Sequence, residues 1–215
     1  MNKQKSMRQG GVGEIVEKKS RFIASTCPVY TEEEAISFIN KIKKQYYDAK
    51  HNCYAYVIGD DDNIQKSSDD GEPSRTAGMP ILDIIKNEGL HNVVIVVTRY
   101  FGGILLGTGG LVRAYSQAAK EGIANSLVIS REKGMAFDVN CPYDRMGKLE
   151  YLLRSLDANI INTDYGEYIV YKAVISIENY KELTDKLLEL FNGENHILNI
   201  NEVFFGFSGD EIIIE

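Results

Sequence analysis

Residues 92–115 read NVVIVVTRYFGGILLGTGGLVRAY, and this stretch decides the first expectation about the fold. Asn92–Thr98 is almost continuously β-branched, the composition of a central strand buried on both faces. The chain then passes Arg99, Tyr100 and Phe101 and enters a loop carrying Gly102, Gly103, Gly107, Gly109 and Gly110. Thr108 is placed to cap a helix whose inward face holds Leu111, Ala114, Tyr115 and Ala118 and which ends near Gly122. Leu127–Ser130 adds an edge strand.

Working outward, Met79–Asn87 has apolar residues at helical spacing, with Pro80 tolerable in a first turn. Arg21–Cys27 has strand character, and Thr31 with Glu34 three residues on has the spacing of a capping box for a helix with Ala35, Phe38, Ile39 and Ile42 inward. Asn52–Gly59 and Ile64–Ser68 form a hairpin across the turn sequence GDDDN. From Gly134 the pattern becomes strand 135–141, helix 143–156, strands 159–164 and 168–178, helix 180–191 and strand 197–207. That order, βαββαβ, is the ferredoxin-like arrangement. The expectation is an α+β protein of two domains, residues 1–133 and 134–215, with Arg131–Gly134 as linker.

The 215 residues suffice for a sizeable core. No run approaches the roughly 20 apolar residues that span a bilayer, and the start MNKQKSMRQGG lacks the apolar centre of a signal peptide, so a cytoplasmic protein without a membrane partner is expected. Residues 1–137 carry 18 Lys and Arg against 16 Asp and Glu, a balance of +2, whereas residues 138–215 carry 6 against 15, a balance of −9. The formal net charge of −7 argues against a general nucleic-acid coat protein.

Candidate chemistry collects in DDGEPSRTAGMPIL, residues 69–82, and in the loop after Arg99. Arg75, Arg99 and Arg113 supply fixed positive charge; Asp69, Asp70 and Glu72 supply partners for it. Two readings follow for Arg99 and Arg113: internal pairing that pins the DDGEP loop to the strand, or charge left facing a cleft. Tyr100 and Phe101 suit either base stacking or the core. GTGGLV departs from the dinucleotide GxGxxG pattern at its last glycine, and no GxxxxGK is present. Asp48, His51, Asp69, Asp70 and Glu72 are an oxygen-rich set without EF-hand or HExxH spacing, so no metal is assigned. Cys27, Cys53 and Cys141 read as buried small hydrophobes; pairing Cys53 with His51 would lack a third group to orient the base.

SRFI at 20–23, DAKHNCYAY at 48–56, DDGEPSRTAGMPIL at 69–82 and VTRYFGGILLGTGGLVRAY at 97–115 resemble the Impact/YigZ family of conserved proteins. Arg75 departs from the family's usual DDGEPSGTAG, taking the place of its common glycine. The resemblance implies a first domain with a βαβ-containing fold like that of a ribosomal-protein domain, and a ferredoxin-like second domain. It also implies a link to translation, because eukaryotic relatives regulate initiation under amino-acid stress by binding the activator of a stress kinase.

The expected function is a non-catalytic binding protein of translation, with RNA, the ribosome or a translation-associated protein as partner and no cofactor. Its expected binding residues are His51, Asp69, Asp70, Glu72, Arg75, Arg99, Tyr100, Phe101, Gly102, Gly103, Gly109, Gly110 and Arg113. The alternatives are a dipeptidase-like hydrolase at the groove between the DDGEP and RYFGG loops, and docking of a basic partner on the acidic second domain.

Overall fold

A computed structural model describes residues 4–59, 63–208 and 211–214, and the chain divides into two compact units, residues 1–130 and 131–215. In the first unit the strands are β1 (Gln4–Gln9), β2 (Val12–Glu17), β3 (Ser20–Pro28), β4 (His51–Ile58), β5 (Ile64–Ser68), β6 (Leu90–His91) and β7 (Val93–Tyr100). Its helices are α1 (Glu32–Gln45), α2 (Gly78–Asn87) and α3 (Thr108–Ala124).

Five strands form an antiparallel sheet in the order β2-β3-β7-β4-β5, with β7 at its centre as its composition predicts. Both faces of β7 are covered. Val93, Ile95 and Val97 pack in the core shared with α2 and α3, whereas Val94 and Val96 pack with Ala35, Ile39 and Ile42 of α1. Because β3 and β4 each run antiparallel to β7, they are parallel to each other. The segment β3-α1-β4 is therefore a split βαβ unit with β7 inserted. Thr31 caps α1 by accepting from the Glu34 N–H at 3.2 Å, and the Glu34 carboxylate reaches back to the Tyr30 N–H at 2.7 Å, one residue earlier than in a standard capping box.

Two features of this unit depart from the sequence expectation. The β2–β3 hairpin turns on Lys18 and Lys19, both at positive φ (46° and 66°); without Asn or Gly, the pair gives no hairpin signal. The cap of α3 is Gly107 rather than Thr108, which is already helical and makes no capping bond. The β4–β5 hairpin forms, although residues 60–62 of its expected turn lie outside those described.

The third departure concerns Arg131–Gly134, which is no linker but part of a 15-residue strand, β8 (Leu127–Cys141). Gly134, read as a breaker, is a packing position. A Cβ there would lie 2.5 Å from the Ile175 carbonyl oxygen and 2.6 Å from the Phe205 ring. After β8 come a 3₁₀ turn (Tyr143–Arg145), α4 (Met146–Ser155), β9 (Asn159–Tyr165), β10 (Ile169–Ser176), α5 (Ile177–Leu190), β11 (Ile197–Ser208) and β12 (Glu211–Ile214). The order β9-β10-β8-β11, antiparallel throughout, is the ferredoxin-like arrangement, with β12 as an added edge strand. Phe137, Val139 and Tyr171 meet Leu149 and Leu153 of α4 and Leu183 and Leu187 of α5 in its core.

Gly134→Ala should lower the stability of the intact protein by about 1–3 kcal/mol through overpacking. Gly147→Ala, in α4 with nothing within 4 Å of the new Cβ, should be neutral or stabilising by up to about 1 kcal/mol. Urea unfolding of both variants checks this, and an undiminished Gly134→Ala protein would contradict the packing role.

Candidate functional site

Arg99 stands near the end of β7 on the face of Val97, with Phe22 of β3 and His51 of β4 opposite it across the sheet. It is 7% exposed, and a guanidinium so placed needs a counter-charge. Glu72, its side chain 4% exposed, supplies one: Arg99 Nη1 donates to Glu72 Oε1 at 2.6 Å. The Tyr115 hydroxyl of α3 donates to the same oxygen at 2.9 Å. The Cys53 thiol of β4 lies 3.4 Å from that hydroxyl and 2.9 Å from the Asp69 carbonyl oxygen. The rings of Phe22 and Phe101 flank the guanidinium, with centroids 5.4 and 5.6 Å from its central carbon. The DDGEP loop is thus tied at one point to a strand on one side and a helix on the other.

The loop's two aspartates serve its own backbone. Asp69 Oδ2 accepts from the Arg75 N–H at 2.7 Å, and Oδ1 accepts from the N–H groups of Ala77 and Gly78 at 3.0 and 2.8 Å. In this way Asp69 caps α2 from nine residues away, where Ala77 at the cap position offers no side chain. Burial acts to raise the Asp69 pKa, but the N–H groups of Arg75, Gly78, Ala77 and Thr76 outweigh it and hold the carboxyl below its ordinary value. Asp70 takes a salt bridge from Lys43 Nζ at 2.7 Å and a bond from the Asn52 N–H at 2.7 Å, and its carbonyl meets His51 Nδ1 at 2.8 Å.

Arg75 has φ +63°, in the left-handed region that glycine occupies without strain. The glycine common in the family at this place therefore suits the backbone, and the exposed arginine side chain is an addition to the surface.

Past Arg99 the chain opens to solvent. The Tyr100 hydroxyl donates to Asp48 Oδ1 at 2.7 Å, and that bond, helped by burial, pushes the phenol up to about 12. Phe101 is 56% exposed, Ile104 43% and Leu105 83%. Gly102 is filled by the protein itself, since a Cβ there would meet the Lys19 carbonyl carbon at 2.0 Å; Gly103 (φ +84°) and Gly109 face open space, and at Gly110 a Cβ would meet Leu106 Cβ at 3.1 Å. Arg113, on α3, is exposed and pairs with none of the loop acids. Of the two sequence readings, internal pairing describes Arg99, whereas Arg75 and Arg113 stay outside.

The set Asp48, His51, Asp69, Asp70 and Glu72 does not converge: each engages a different partner, and among the described residues no group of three or more His, Cys, Asp or Glu is placed to hold a metal ion. Cys53 and His51 are not bonded to each other, and burial pushes the Cys53 thiol up to about 12, far from an activated thiolate. Sequence reasoning missed Tyr115 and Lys43 as loop partners and Ile104 and Leu105 as surface residues. The one available signal was an Ile-Leu-Leu run bracketed by glycines in what had to be a loop.

Fold and site together define a two-unit α+β protein with an ion-paired loop beneath an exposed apolar lip. The chain belongs to the Impact family: residues 18–123 match the Impact N-terminal domain, and residues 139–194 match a domain of unknown function, DUF1949. It is 42% identical over 192 residues to the IMPACT family member YvyE of Bacillus subtilis, covering 89% of this chain and 88% of that one. It is 35% identical over 187 residues to YigZ of Escherichia coli, covering 86% and 92%. A solved structure described as a hypothetical protein is similar with a TM-score of 0.58 at 32% identity, covering 94% of this chain and 98% of the other. Among the described residues no helix is long and apolar enough to cross a membrane.

Glu72→Gln should destabilise the intact protein by about 3–5 kcal/mol in urea unfolding, because Arg99 then keeps its charge without a counter-charge. The Asp69 carboxyl titrates lower in the folded than in the unfolded chain, so its contribution is fully present above the unfolded value of about 3.9 and is lost as pH falls through the folded one. The stability gap between the natural protein and Asp69→Asn should accordingly shrink as pH is lowered from 5 toward 3. A gap constant over that range would refute the assignment.

Proposed function

We propose that this protein is a non-catalytic binding protein in the regulation of translation, engaging a ribosome-associated partner through the lip formed by residues 101–105. Membership of the Impact family supports the translational part of the reading. The observation that carries the surface is the exposure of Phe101, Ile104 and Leu105 together, on a loop whose root is clamped by the Arg99–Glu72 pair. Apolar side chains held in the open by a rigid base suit an interface, since the ordering cost is met before the partner arrives. The internal neutralisation of Arg99 shifts the expected contacts from the strand end to the lip. The hydrolase alternative draws on the carboxylate loop with His51, and there Asp69, Asp70 and Glu72 are each engaged by partners within the protein.

Phe101→Ser combined with Leu105→Ser tests the reading by co-sedimentation of the intact protein with ribosomes. Both side chains are largely exposed, and with the loss of the Phe101 ring beside Arg99 the variant should lose no more than about 1 kcal/mol of stability in urea unfolding. It should sediment with ribosomes at least about 10-fold less well, the loss of one interfacial hot spot or more. Equal sedimentation by the two proteins would remove the lip from the account.

A further inference from the structure

In the first unit a groove of about 470 Å³ lies between the β2–β3 turn and the outward side of α3, and three of its lining residues are cations: Lys18, Arg113 and Lys120. All three are exposed, and no carboxylate pairs with any of them among the described residues. This contrasts with Lys5, Lys43, Arg99, Lys172 and Lys186, each of which has an acidic partner. The groove lies in the part of the chain that carries a balance of +2, and three cations without carboxylate partners concentrate positive charge there.

Their arrangement selects the shape of the ligand. Arg113 and Lys120 are seven residues apart on α3, close to two turns or about 10 Å along the axis, so the charge forms a row rather than a cluster. A row suits a linear polyanion better than a single phosphate. Ile15, Leu106 and Val112 give the groove apolar surface as well, which the apolar faces of bases or sugars can cover. Glu17 also lines it, and Gln117, whose amide nitrogen is engaged by Glu121 at 2.9 Å, keeps its carbonyl oxygen as an acceptor. These two acceptors favour one polyanion over the other. An acidic peptide sets its carboxylates against Glu17 and has only backbone N–H groups to offer the two acceptors, whereas a ribonucleotide strand carries 2′-hydroxyl and exocyclic amino donors beside its phosphates.

We infer that this groove binds single-stranded RNA, with Lys18, Arg113 and Lys120 on backbone phosphates and Glu17 and Gln117 accepting from sugar or base donors. The inference rests on the translational reading above and names the chemistry of one partner. The groove's lining begins at Leu106, directly after the 101–105 lip, but none of its three cations belongs to the lip, so the two can be tested by separate substitutions.

The test is fluorescence anisotropy of a labelled 20-nucleotide single-stranded RNA of mixed sequence with the intact protein, between 50 and 200 mM salt. Three phosphate contacts at about 0.7 each give a slope of log affinity against log salt near −2, or roughly 20-fold weakening over that range. Lys18→Gln with Lys120→Gln, both outside the lip, should reduce the slope to about −0.7 and weaken binding at 50 mM by about 10-fold, with the urea midpoint unchanged. A slope near zero in the natural protein, an unaltered double variant, or displacement of the RNA by polyglutamate at equal charge would each overturn the inference. Ribosome co-sedimentation of the natural protein, run alongside, separates the two readings. Sedimentation without RNA binding overturns this inference alone, and absence of both overturns the translational reading with it.

Discussion

The first unit depends on the contact between Arg99 and Glu72. A guanidinium on a fully covered strand is costly to bury alone, and a carboxylate in a loop is free to leave it; together, with the Tyr115 hydroxyl on the same oxygen, each holds the other in place. Strand β7, the DDGEP loop and helix α3 are consequently joined through one oxygen atom. Cys53 extends the junction to β4 and to the Asp69 carbonyl.

From that junction the rest of the site acquires its division of labour. The acids of the loop face inward onto backbone and lysine, so the loop resembles a folded clasp more than an open acidic ligand set. What is left for the surface is the lip at residues 101–105 and the exposed arginines 75 and 113. The glycines divide in the same way. Gly102 admits the Lys19 backbone, whereas Gly103 and Gly109 border solvent.

Much of the fold was legible because local physics and tertiary demand agreed. The β-branched run of β7, the Thr31 cap of α1 and the β-rich composition of β4 each serve the packing they foretell, although β4 is buried on both faces rather than one. The failures occur where they disagree. Lys18–Lys19 adopts a turn that Asn-Gly would announce, and Gly134 looks like a break although it makes room for the Phe205 ring. Strand β1 is polar and short, and it pairs in parallel with the two-residue β6, a partner more than eighty residues away that no local pattern reveals.

Sequence alone determined the two-unit α+β architecture, the central strand, and the two segments from which the site is made, because periodicity and turn chemistry are local properties. It also located the acids and arginines, and through Arg75 the departure from the family's usual glycine. Only the tertiary structure decided which charges cancel. The choice of Glu72 for Arg99, the turning of Asp69 onto the start of α2 and the exposure of Ile104 and Leu105 depend on distances between segments far apart in the chain. Burial and pairing are properties of those distances, and residue order does not carry them.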